Sequence, residues 1–174
     1  MYCGILLTGD TDEASSVAFL DDGAVETFSA ATNDDILGLL EEHRPEVTTL
    51  NAAPRRERET EFRSGEEDLI EEGHAMLPQG MRDRAVLERA DHLSRHIEAS
   101  GIGTTLIETN ARVASERLGL GGDEDLEAEG IDTGGIETVW EYDAVVLAVV
   151  AKLYADNRCE EYGIVVPADD VESI

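Results

Sequence analysis

Four positions in this sequence join a chemically able side chain to a place where a fold could use it: Asn51, Arg63, Glu108 and Asp143. Asp143 lies near the start of Trp140–Tyr154, a run apolar on nearly every side and about four helical turns long. Val146, Leu147 and Val150 fall on its face, so the spacing predicts an acid pointing at the core. An ionised carboxylate there is costly unless a metal or a hydrogen-bond donor meets it. Capping its own helix is the competing use of such an aspartate. Glu108 closes a short β-prone run, Thr104–Glu108, where a solvated acid is the commoner case. Asn51 precedes Ala52-Ala53-Pro54; it can lend a carbonyl oxygen without charge, or bond its own backbone in a turn. Arg63 can bind a phosphate or pair with Glu67 one turn on. The chemistry such a set would serve is metal-assisted cleavage of a phosphodiester. There, divalent ions ~3.5–4 Å apart are held by several carboxylates.

Other clusters point less well. His92 and His96 could share a metal by spacing, yet their helix lacks the glutamate of a metalloprotease motif. Asp123, Asp125 and Glu127 open like a calcium loop, but Ala128 stands where the sharp turn demands glycine. No glycine-rich phosphate loop follows the first apolar run, which disfavours a nucleotide-binding kinase or ATPase.

The elements that must position these groups follow from periodicity. Tyr2–Leu7 reads as a buried strand. Ser16–Leu20 and Ala24–Phe28, joined by Asp21-Asp22-Gly23, read as a hairpin. Asn33 caps a helix that Pro45 ends, and Glu46–Asn51 is a fourth strand. A charged connector, Arg55–Arg63, leads to short Glu66–Glu72 and long amphipathic Met81–Ala99 helices. Thr104–Glu108 is a fifth strand, followed by a helix from Asn110 through Leu118 and then the Trp140 helix; Gly163–Pro167 can add a last strand. An antiparallel meander followed by strands alternating with helices gives an α/β fold: a mixed five-stranded sheet, helices on both faces. That order is the ribonuclease H-like one. It places Leu6, Asn51, Glu108 and Asp143 at one sheet edge. The chain 1–174 reads as a single domain, with a helical insertion at about 55–100 and a mobile acidic loop at about 119–135.

Forty acids against thirteen bases give a net charge of −27, with a single lysine, Lys152, beside twelve arginines. The acids run through every segment, the pattern of a halophilic protein built for molar salt. At a Debye length of roughly 3 Å, global charge then decides little about what binds locally. Cys3 and Cys159 make neither a disulfide framework nor a zinc site. No segment has the length of a membrane span or the form of a signal peptide, so a cytoplasmic protein without a membrane partner is expected. The short third strand could pair with its copy in a homodimer.

Six blocks in order resemble a family of predicted ribonuclease H-like nucleases, classed among domains of unknown function in archaea and bacteria. They are Gly4-Ile5-Leu6; Leu50-Asn51-Ala52-Ala53-Pro54; Arg63, Glu67, Ile70 and Gly73 with Leu77-Pro78; Ile107-Glu108-Thr109-Asn110; Tyr142-Asp143-Ala144; and Ile164-Val165-Val166-Pro167. The resemblance implies a nuclease using Mg²⁺ or Mn²⁺, with Glu108 and Asp143 as metal ligands and Asn51 beside them. It implies Arg63 and Asn110 as contacts to a nucleic-acid substrate. The family's first-strand acid is Leu6 here and its second is Asn51, so the acidic site is partly eroded. Loop acids Asp10, Asp12 or Glu13 could substitute, on poorer support than a strand gives. The alternative is an inactive member of the family that binds nucleic acid or protein.

Overall fold

The computed structural model describes residues 1–9, 13–52, 62–63, 65–78, 81–171 and 173–174. Its main sheet is built from β1 (Tyr2–Leu6), β2 (Ser15–Asp21), β3 (Ala24–Ala30), β4 (Val47–Leu50) and β5 (Thr105–Glu108), in the order β3-β2-β1-β4-β5. β1, β2 and β3 pair antiparallel, whereas β4 and β5 add parallel to β1. This is the mixed sheet expected from the sequence. Asp22 and Gly23 turn the β2–β3 hairpin with positive φ at both, the backbone a two-residue hairpin turn requires.

Helices cover both faces, and alternation along the strands sorts the core between them. On one face Cys3, Ile5, Leu7, Val17, Phe19 and Leu50 pack with α1 (Asn33–His43) and α3 (Arg84–Ser100) through Ile36, Leu40, Leu93 and Ile97. On the other, Leu6, Ala18, Leu20, Val47 and Ile107 pack with α6 (Val139–Ala155) and α4 (Ala111–Leu118). The middle of α6 is buried without a break from Ala144 to Ala151, as its all-round apolar sequence requires. It lies directly on β1. A Cβ at Gly4 would stand 2.0 Å from the Ala144 carbonyl oxygen and 2.3 Å from the Ala148 nitrogen. Only glycine admits that approach.

Local chemistry refines the expected boundaries. α1 is capped by Thr32 rather than Asn33, in a box where Thr32 Oγ1 accepts from Asp35 N–H and the Asp35 carboxylate accepts from Thr32 N–H. The segment read as an acidic loop at 119–135 contains a short helix, α5 (Asp123–Ala128), anchored by fully buried Leu126. α2 (Glu66–Glu71) forms as expected, and of the Arg55–Arg63 connector only residues 62 and 63 are among those described. The last strand, β7 (Val165–Pro167), does not extend the main sheet; it pairs with β6 (Cys159–Glu161) in a separate ribbon.

Candidate functional site

The parallel strands β4 and β5 end side by side, and just beyond them lies a cleft of about 520 Å³. Asn51, Arg82, Glu108, Asn110 and Arg112 supply its polar wall, while Met76, Leu77, Val86 and Leu87 supply the apolar one. Ligands of open α/β sheets bind in such crevices, where strand carboxyl ends and helix starts meet. Three of the expected site residues, Asn51, Glu108 and Asn110, are therefore brought together.

Each is held by the local fold. The Asn51 side chain continues the β1–β4 ladder one step past the backbone: its Oδ1 accepts from Leu7 N–H at 2.9 Å, and its Nδ2 donates to Leu7 O at 3.1 Å. Asn110 caps α4, its Oδ1 accepting from the N–H groups of Arg112 and Val113. Arg63 Nη1 donates to Glu108 Oε2 at 2.7 Å and Nη2 to Oε1 at 3.3 Å, a fork on a carboxylate. Arg82 joins from the other side, with Nη1 3.5 Å from Glu108 Oε1 and Nη2 2.8 Å from Glu66 Oε1. Glu66, wholly buried at the start of α2, also accepts from the Arg63 backbone N–H. Two carboxylates and two guanidinium groups thus form one compensated cluster, as burial of charge requires.

The sequence contained Glu66 and Arg82 without marking them. The pairing of Arg63 with Glu67 expected from helical spacing gives way to partners one residue earlier and 45 residues away, Glu66 and Glu108. The turn at Gly65, with φ of 95°, puts Glu66 rather than Glu67 on the inward side of α2.

Asp143 stands elsewhere. Glu108 is in register with Leu50, and Leu50 with Ile5, both members of the α1–α3 face. Leu6 and Ile107 belong to the α6 face, where Asp143 follows the helix start. Strand parity therefore sends Glu108 and Asp143 to opposite sides of the sheet. Asp143 is half-buried, and burial raises its carboxyl above the usual carboxylate range. Helix capping is done by Thr138 and Glu141 in a reciprocal box, so Asp143 is not the cap.

A divalent ion does not fit this donor set. Leu6 is apolar and buried against α6, both ends of the Asn51 amide are engaged by Leu7, and Glu108 is neutralised by Arg63 and Arg82. Among the described residues no three histidine, cysteine, aspartate or glutamate side chains converge. Of the loop acids, Asp10 and Asp12 lie outside the described residues, and Glu13 is exposed. The His92 and His96 rings lie 4.1 Å apart at a 37° tilt on the exposed side of α3, where Asn33 Nδ2 donates to His92 Nδ1 and His96 Nδ1 bonds the His92 carbonyl.

The fold defines the class: an α/β protein of the ribonuclease H-like type. Among solved structures, Thermus thermophilus RuvC in complex with a Holliday junction substrate is similar, with a TM-score of 0.53 and 13% identity. The likeness covers 95% of this chain and 97% of that one. A further Thermus thermophilus RuvC structure gives a TM-score of 0.49 at 13% identity, over 95% of this chain and 98% of that one. No protein-family model matches, and no curated protein matches. No helix among the described residues is long and apolar enough to cross a membrane.

Proposed function

We propose that this ribonuclease H-like domain binds nucleic acid in the cleft beyond β4 and β5 and does not cut it. The observation that carries the reading is the state of Glu108, both of whose oxygens face guanidinium groups at the place where a strand-end acid would hold a metal. The cleft offers what a nucleic-acid strand needs without a metal. Arg112 is exposed at its edge for phosphate, and Leu77 and Val86 line an apolar wall for a base. The junction DNA bound by the RuvC neighbour supports nucleic acid as the ligand class.

The test is a mobility and cleavage assay on branched, hybrid and single-stranded substrates in molar KCl with Mg²⁺ or Mn²⁺. A Glu108→Gln/Asp143→Asn variant is run beside the wild type. Retarded substrate that stays intact supports the reading, with retardation weakened by Arg112→Ala. Metal-dependent cleavage lost in the double variant would overturn it, and the two single variants would then show which of Glu108 and Asp143 the nuclease uses.

A further inference from the structure

On the far side of Arg112 a second hollow, about 560 Å³, opens at the start of α6. Its wall includes Leu120, Asp123, Ile136, Val139, Tyr142 and Asp143. Two polar groups there have no protein partner among the described residues. No hydrogen bond or ion pair within the described residues reaches the half-buried Asp143 carboxylate, and the buried Tyr142 hydroxyl has no partner among them either. Arg112, the one base on the wall, is paired with Glu116, its Nε donating to the carboxylate at 2.9 Å. Beside the hollow, Val139 and Trp140 stand 66% and 53% exposed on an otherwise buried helix. Val139 and Asp143 are one turn apart, so apolar surface and orphan carboxylate form one patch.

We propose that this corner of α6 docks a partner protein through a lysine or arginine side chain seated on Asp143, flanked by apolar residues that cover Val139 and Trp140. Charge complementarity selects the cation: Asp123 and Asp143 line the hollow and no unpaired base opposes them. The apolar wall of Leu120 and Ile136 matches the aliphatic stem of such a side chain, which buries its methylenes while its head finds the carboxylate. A small free amine would satisfy Asp143 yet leave Val139 and Trp140 uncovered. An exposed tryptophan beside a desolvated charge is also the composition of an interface hot spot. Burial raises both Asp143 and Tyr142, and the carboxylates of Asp125, Asp123 and Asp143 add to the rise at Tyr142. The patch shares no residue but Arg112 with the cleft, so either assignment can fail alone.

The probe is the peptide acetyl-Gly-Leu-Lys-Leu-Gly-amide, compared with the same peptide carrying norleucine for lysine. Binding is read by calorimetry and by emission of Trp140, the single tryptophan. The lysine peptide should bind about tenfold more tightly than the norleucine one, a difference of about 1.4 kcal/mol. That difference should vanish in Asp143→Asn, and Trp140→Ala should weaken both peptides. Equal binding of the lysine peptide to wild type and Asp143→Asn would overturn the proposal, as would failure of the lysine peptide to bind. n-Butylammonium binding as tightly as the peptide would overturn it in favour of a small amine.

Discussion

Glu108 at the end of β5 is clasped by Arg63 from 45 positions earlier, Nη1 to Oε2 at 2.7 Å and Nη2 to Oε1 at 3.3 Å. Arg82 closes the far side of the same carboxylate and binds the wholly buried Glu66. The strand-end acid is therefore part of a structural ion cluster. Its strength shows when one member is removed. Arg82→Met should destabilise the fold by about 3 kcal/mol, because Glu66 keeps its charge and loses its nearest guanidinium. The double variant Arg82→Met/Glu66→Met should recover most of that loss, since it removes both buried charges. Urea unfolding in molar KCl measures both.

Asp143 makes the opposite kind of contribution. Its carboxyl is raised in the folded protein by burial, so the native state holds the proton more tightly than the unfolded chain. Stability from this group is fully present below the unfolded carboxyl pKa and is lost as pH rises through the raised folded value. Asp143→Asn should therefore raise the melting temperature at neutral pH, with the gain shrinking to nothing in acid. A melting series across that range checks the sign; a gain that grows in acid would contradict the burial argument.

Asn51 bonds both the N–H and the carbonyl of Leu7. Asn51→Asp would restore the acid that the resemblance assigns to this position, yet the new oxygen would face the Leu7 carbonyl. The expected cost at neutral pH is about 2 kcal/mol, the penalty of an opposed buried acceptor. It should ease as pH falls and the protonated acid donates to Leu7 O. Chemical unfolding at two pH values tests this, and calorimetry with Mn²⁺ should show no cation bound by the variant.

Gly4 sets the seat of α6 on the sheet. A Cβ there meets backbone atoms of Ala144 and Ala148, which cannot rotate away. Gly4→Ala should cost about 3 kcal/mol or more, at the upper end of overpacking effects, whereas Gly38→Ala, where a Cβ meets nothing, should be neutral or stabilising. Melting temperatures of the two variants give the comparison.

Much of the architecture was legible because it rests on local pattern. The apolar run Tyr2–Leu7, the Asp22-Gly23 turn and the apolar α6 each point to one structure, and the meander-then-crossover order of the elements matches the observed sheet. Errors arose where a single residue decided the outcome. Thr32 displaces Asn33 as cap because its hydroxyl and Asp35 complete a reciprocal box. Leu126, one apolar residue in a run of acids and glycines, is enough to bury α5. Helical spacing pointed Asp143 at the core, whereas the carboxylate is half-buried on the wall of a hollow at the start of α6.

By itself the sequence determined most of the elements, since hydrophobic period and turn chemistry act over a few residues, though α5 and β6 escaped it; the meander-then-crossover order put β1, β4 and β5 side by side. It also determined that Leu6 and Asn51 bring no charge to the sheet edge. Only the tertiary structure decided which acids share a face. A strand end shows its side chain to one side or the other by register parity, and pairing Leu50 with Glu108 sends that carboxylate toward α3 while Asp143 stays with α6. The partners of Glu108 were equally beyond local reading, because Arg63 and Arg82 reach it across a turn and two helices that only packing brings together.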